Sequence, residues 1–167
     1  MTSIAVDGDY RLCDVVLDGS FRSRHAHVER ERSIAIYDLL EKNTFMPVGH
    51  DGGPYCLSLA STHASLALHI TTENGAHVLT HYLALAPFRR LLKDYIVMCD
   101  SFYDALHCAT TAKFETIDMA RSAIHNDAAE LLRKQLASKV TVDRYTARRL
   151  FTLIYVLHVR RPSISLC

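Results

Sequence analysis

The chain has no tryptophan, only four prolines and six glycines in 167 residues, and no Cys-x-x-Cys pair among its five cysteines. So little Pro and Gly excludes a low-complexity or disordered chain, and 49% hydrophobic residues supply a sizeable core. Cys13, Cys56, Cys99, Cys108 and Cys167 are scattered and odd in number, which excludes a disulfide framework and a zinc knuckle and points to a reducing compartment. Long apolar runs are missing too. The longest, Leu150 to Val159, is interrupted by Thr152 and His158, hemmed by arginines at both ends, and well short of the ~20 residues a membrane span needs. The start, Met1-Thr2-Ser3-Ile4-Ala5-Val6-Asp7, carries neither the basic residues nor the apolar stretch of a secretory leader, so a cytoplasmic protein is expected.

Charge of one sign is also lacking: 19 Lys and Arg against 18 Asp and Glu leave a formal charge of +1. Such a balance creates no field for steering onto a polyanion, so neither nucleic acid nor a membrane is an expected partner. Ten histidines are the reserve; protonating all of them would raise the formal charge from +1 to +11.

What is present reads as one domain over residues 1–167, on the guide of about 150 residues per domain, with 1–9 and 161–167 frayed. Val- and Leu-rich Tyr10–Asp18 predicts a strand, and the spacing of Val28, Ala35, Ile36, Leu39 and Leu40 predicts a helix from about His27 to Asn43. Three strands follow, Tyr55–Ala60, Leu66–Thr72 and His77–Leu85. Asn74-Gly75 joins the last two in what reads as a type I′ hairpin, pairing Leu68 with His81 and Ile70 with Leu79. That register collects Leu57, Leu59, Leu66, Leu68, Ile70, Leu79, Leu83 and Leu85 on one face, with His81 the odd polar member.

After Pro87, a helix runs to about Cys108 on a stripe that includes Leu92, Tyr95, Cys99 and Phe102. A further helix is capped by Thr110 or Thr111, with a break or fresh start at Asp127-Ala128-Ala129. The last is capped by Thr141 or Asp143 and repeats Leu150, Leu153, Ile154 and Leu157, although its β-branched content leaves a strand open. The sum is α+β: an antiparallel sheet of three to four strands packed on one face by about four helices.

Several segments carry a likeness. Val28-Glu29-x-Glu31-Arg32, Gly49-His50-Asp51-Gly52-Gly53-Pro54-Tyr55, Pro87-Phe88-Arg89-Arg90, Lys93-Asp94-Tyr95, Ile124-His125-Asn126 and Ala147-Arg148-Arg149-Leu150-Phe151-Thr152-Leu153 together resemble uncharacterised protein family 0262. They run in order from about residue 28 to His158, with the N-terminal lead and the tail Arg161–Cys167 outside. The resemblance implies a bacterial cytoplasmic protein, and no reaction, ligand or catalytic residue comes with it.

The Gly49–Tyr55 loop holds three of the six glycines; its backbone N–H groups with His50, Asp51 and Tyr55 could hold an anion or polar ligand. It lacks the Lys-Ser/Thr ending of a phosphate-binding loop, and a tight turn satisfied by its own side chains explains the same residues. Arg89 and Arg90 sit in a helix's first turn, where cations oppose the dipole and so call for an acidic partner, internal or bound. Arg148 and Arg149 pose the same question. Asp100, Asp104 and His107 share a helix face in a pattern chemically suited to a divalent metal, but that is the solvated face, and neither metal nor cofactor is expected. The expected function is therefore a non-enzymatic binding or adaptor domain. Its site is drawn at His50, Asp51, Tyr55, Arg89 and Arg90, and its partner is an anionic small molecule or an acidic protein segment. The alternative is a hydrolase or transferase acting on a phosphorylated or carboxylated substrate, with His50 as acid or base. Oligomeric state is left open.

Overall fold

The computed structural model of the chain describes residues 9–18, 25–108 and 110–159. The expected fraying at 1–9 and 161–167 lies, but for Asp9, outside these residues. The elements are β1 (Leu12–Leu17), α1 (Ala26–Glu41), β2 (Phe45–Pro47), β3 (Tyr55–Ser61), β4 (Ser65–Thr72) and β5 (His77–Ala84). A 3₁₀ turn (Ala86–Phe88) then leads into α2 (Arg89–Cys108), α3 (Thr111–Leu136), β6 (Val140–Val142) and α4 (Arg144–Val159). The architecture is α+β, as the patterning predicts.

The four-stranded sheet has the order β1-β3-β4-β5. The two hairpin pairings are antiparallel, but β1 lies parallel to β3, so the sheet is mixed where an antiparallel one was expected. The physical reason is the crossover: α1 carries the chain back over the sheet before β3 starts, which forces β3 to run in the direction of β1. Asn43 fixes the return, donating from Nδ2 to the Leu12 and Leu39 carbonyls (3.1 and 2.8 Å) and accepting from the Leu12 N–H (2.7 Å). A second, two-stranded sheet of β2 and β6 was not foreseen; three-residue strands carry too short an alternation to be read from sequence.

The β4–β5 register agrees with the expectation, Leu68 facing His81 and Ile70 facing Leu79. The turn does not. Among the described residues no non-glycine has positive φ, so Asn74 cannot occupy a type I′ position; in this turn it is Gly75 that has positive φ, at 88°. The Gly75 N–H donates to the Thr72 carbonyl (2.9 Å), and the register shifts between Ile70 and Thr71. Glu73, Asn74 and Gly75 thus form a three-residue loop, and Val78, the extra residue between the Thr71–His77 and Ile70–Leu79 pairs, bulges and restores the expected register upstream.

Alternation puts Leu57, Leu59, Leu66, Leu68, Ile70 and Leu83 on the covered face, all buried, while His69, Thr80 and Tyr82 on the other are exposed. Leu132 and Leu136 of α3 and Leu150 and Ile154 of α4 meet Leu59, Leu66, Leu68 and Leu83 across the interface. The most buried helix is α4, with every residue from Leu150 to Leu157 inside, so the strand alternative for this segment is set aside. Thr110 caps α3, accepting from the Lys113 N–H, and Asp143 holds the start of α4 by accepting from the Thr146 N–H at 2.8 Å. The expected break at Asp127-Ala128-Ala129 is absent: α3 runs through it, because both alanines are fully buried against its neighbours.

Candidate functional site

His50 and Tyr55 meet within the glycine loop. The imidazole Nδ1 accepts from the Gly52 N–H at 3.1 Å and lies 3.0 Å from the Tyr55 hydroxyl, which is also 3.3 Å from the His50 carbonyl. The loop's polar groups are therefore largely spent on one another. Gly53 packs so closely that a Cβ there would stand 1.9 Å from the Asp9 carbonyl oxygen. A recess of about 410 Å³ opens beside His50 and Asp51, walled by Tyr10, Met46 and Val48.

Arg89 and Arg90 do not join it. Ala84, just before them, pairs with Ser65 at one end of the sheet, whereas Tyr55 pairs with Thr72 at the other. The seven residues of β3 separate the two, roughly 20 Å at about 3.3 Å per residue. The loop and this arginine pair therefore share no cleft. Asp100 is also engaged elsewhere, 3.2 Å from His27 Nε2, and among the described residues no group of three or more His, Cys, Asp or Glu is placed to hold a metal ion.

The polar groups that do converge come from three helices packed side by side. On α1, Glu31, Ile34 and Ala35 follow helical spacing. On α3, Asp118, Arg121, Ser122 and His125 do the same, and α4 adds Arg148, Arg149 and Thr152. They wall a recess of about 190 Å³. Each stripe is ordinary for a helix; packing α4 against both α1 and α3 brings them together.

One wall is neutralised internally. Glu31, buried at 7% exposure, accepts from the Tyr103 hydroxyl at 2.5 Å and from Arg121 Nη2 at 3.0 Å. Arg121 also lies over the Phe102 ring, 4.2 Å from its centroid. Burial alone would lower the Arg121 pKa, but Tyr95, Glu31 and Cys99 around it raise it, so its charge is fixed. Burial, then the hydrogen bond to Glu31, pushes the Tyr103 phenol up.

The opposite wall is only partly neutralised. Arg149 Nη1 reaches Asp38 at 3.4 Å and its guanidinium lies over the Tyr145 ring, but its Nε is buried with no hydrogen-bond partner among the described residues. Arg148 has no carboxylate within ion-pair distance among the described residues; its Nη2 lies 3.5 Å from His125 Nδ1. Burial and the positive charges of Arg149 and Arg144 lower the Arg148 pKa, the sign of a cation whose surroundings favour an added anion.

His125 completes the floor. Its Nε2–H donates to the Arg148 carbonyl (2.7 Å) with Thr152 Oγ1 at 3.1 Å, which leaves the Nδ1 lone pair toward the Arg148 guanidinium. Burial drives its pKa down to about 4, and Arg148, Arg121 and Arg149 add to the depression. The imidazole is thus neutral at physiological pH. Between pH 6.5 and about 4 the unfolded chain takes up a proton that the folded one refuses, so stability is full above pH 6.5 and falls as pH drops through that window. A loss of about 3 kcal/mol by pH 4 is expected from this residue, with a smaller loss of the same sign from His81. Urea unfolding from pH 7 to pH 4 measures it; His125→Gln should flatten most of the slope, and an unchanged slope would deny the buried neutral imidazole.

Sequence reasoning singled out Arg148, Arg149 and His125 without joining them, named Glu31 without placing it here, and passed over Asp118 and Arg121. The signal available was the polar stripe Asp118-Arg121-Ser122-His125, spaced i, i+3, i+4 and i+7 in a helix otherwise rich in apolar contacts.

The fold and site define a small α+β protein with an arginine-walled recess between three helices. The chain belongs to UPF0262, an uncharacterised protein family whose model matches residues 9–160. Curated relatives described as UPF0262 proteins include one from Agrobacterium fabrum, 52% identical, and one from Rhizobium etli, 50% identical, each over 92% of this chain and 98% of the relative. Another from a Chelativorans strain is 50% identical over 90% of this chain and 94% of its own. No solved structure matches the chain. Among the described residues, no helix is long and apolar enough to cross a membrane.

Proposed function

We propose that this protein is a bacterial cytoplasmic binding domain for a small oxyanion, a phosphate or carboxylate group, held in the recess between α1, α3 and α4. The observation that carries the reading is Arg148: a partly buried guanidinium at the recess, beside Arg149 and with no carboxylate of its own among the described residues. An oxyanion would complete it through the guanidinium fork, with the orphaned Arg149 Nε as a second donor. About 190 Å³ is below the 300–1,000 Å³ of common drug-sized sites, which fits a group of few atoms.

Binding is favoured over the hydrolase or transferase reading by the state of His125. An imidazole held near 4 is a poor general base at neutral pH, and its Nε2–H is committed to a backbone carbonyl. The expected site at the His50 loop with Arg89 and Arg90 gains no support from their places at opposite ends of the sheet.

Thermal unfolding against inorganic phosphate, sulfate and small carboxylates tests the reading. A ligand at one hundred times its Kd adds about 2.7 kcal/mol, a shift of roughly 5–10 °C for a domain of this size. Arg148→Gln should abolish the shift while leaving the ligand-free protein at least as stable, because an unpaired, crowded cation is removed. A ligand-free Arg148→Gln protein that is markedly less stable, or no shift with any anion, would overturn the assignment.

A further inference from the structure

Cys13 and Cys56 are 43 positions apart in sequence, yet their Sγ atoms stand 3.7 Å apart across the β1–β3 pair. The contact exists because the register slips between Leu12 and Asp14: these pair with Tyr55 and Cys56, so Cys13 is the extra residue that leans over the partner strand. Both side chains are half-buried on the sheet face away from the helices, whereas Cys99 is buried in the core and Cys108 is exposed. Among the described residues no other two sulfurs touch. A disulfide needs the sulfurs at about 2.05 Å, so a closure of roughly 1.7 Å is required, a distance that χ1 rotation of two cysteines can supply.

We propose that Cys13 and Cys56 form a peroxide-oxidisable dithiol site, converted to an intramolecular disulfide that fastens strand β1 to β3 and reopened by a low-molecular-weight thiol. Cys56 is the attacking sulfur. Cys13 donates its S–H to the Tyr55 carbonyl at 3.3 Å, and burial, then the neighbouring Cys56, raises its pKa to about 11, which keeps Cys13 in the thiol form as the resolving partner.

The Cys56 thiolate attacks one peroxide oxygen and the O–O bond breaks. Hydroxide leaves and takes up the proton that Cys56 released, giving water and a Cys56 sulfenic acid. The Cys13 sulfur then attacks Cys56 Sγ, the S–O bond breaks, and the hydroxyl leaves with the Cys13 proton as a second water. Two thiols lose two electrons, one peroxide gains them, and one disulfide and two waters result. Oxidation also removes the donor that Cys13 gives to the Tyr55 carbonyl, beside the His50 loop. The site is independent of the oxyanion reading.

The experiment uses the full chain with Cys108→Ser and Cys167→Ser, treated with hydrogen peroxide folded and again in urea, then alkylated and mapped by mass spectrometry. The expected result is a peptide linking Cys13 to Cys56, lighter by two hydrogens, reversed by a thiol, and formed at least tenfold faster in the folded protein than in urea. Oxidised protein should also unfold at a higher temperature than reduced protein. Adding Cys13→Ser should leave a sulfenic acid on Cys56 that dimedone traps. The proposal is overturned if both cysteines remain alkylatable, if each oxidises separately without linking, or if folding gives the crosslink no rate advantage.

Discussion

Phe151→Ala is expected to remove about 3–5 kcal/mol from the stability of the protein, the cost of deleting a fully buried aromatic ring from a site that cannot collapse. Phe151 lies at the centre of α4, edge-on to Tyr95 with centroids 5.4 Å apart and 5.9 Å from the His125 ring. Tyr95 in turn meets Tyr155 edge-to-face at 5.0 Å, so one deletion exposes a cavity shared by α2, α3 and α4. Small domains hold only about 5–15 kcal/mol in total, so the variant should sit near its unfolding midpoint in mild denaturant. Phe151→Leu keeps most of the volume and should cost about half as much or less. Denaturant unfolding of both variants measures the difference. A loss below about 1 kcal/mol for the alanine variant would mean that α4 is not the buried centre of the fold. Because Phe151 packs on His125, the alanine variant should also bind oxyanions more weakly.

Arg121→Met is the second large effect. It leaves Glu31 buried with the Tyr103 hydroxyl as its remaining donor and no cation beside it, a state that costs about 3–5 kcal/mol where buried pairs are broken on one side. Replacing both partners, Glu31→Leu with Arg121→Met, removes the uncompensated charge and should recover most of the loss. A double-mutant cycle by urea unfolding at pH 7 checks this. Additive losses in the cycle would show that Glu31 and Arg121 do not act as a pair. The pair also ties α1 to α3 at the recess, so the single variant should weaken oxyanion binding even where it remains folded.

These effects concentrate where three helices meet, and that meeting was not legible in the sequence. The faces of β3, β4 and β5 were, because strand alternation has a period of two and reports directly which side chains share a face. The β4–β5 register was legible for the same reason, even though the turn was misread: the apolar face fixes the pairing and the bulge adjusts the turn to it. The caps at Thr110 and Asp143 were legible because a cap is a local hydrogen bond within three residues. The parallel placement of β1 was not, since a strand's own pattern does not state its direction relative to a neighbour forty residues away.

The site divides along the same line. By itself the sequence determined the α+β class, the buried face of the hairpin strands, the arginine pair Arg148-Arg149 near the start of α4, and the likeness to UPF0262. Only the tertiary structure decided which stripes meet. Arg89 and Arg90 went to the far end of the sheet from His50 because β3, β4 and β5 reverse direction at each turn, while Glu31, Arg121 and Arg148 were brought together by α4 packing between α1 and α3. Local periodicity encodes which face of an element avoids water; the burial of apolar area summed over the whole chain selects which faces pair, and no short segment contains that sum.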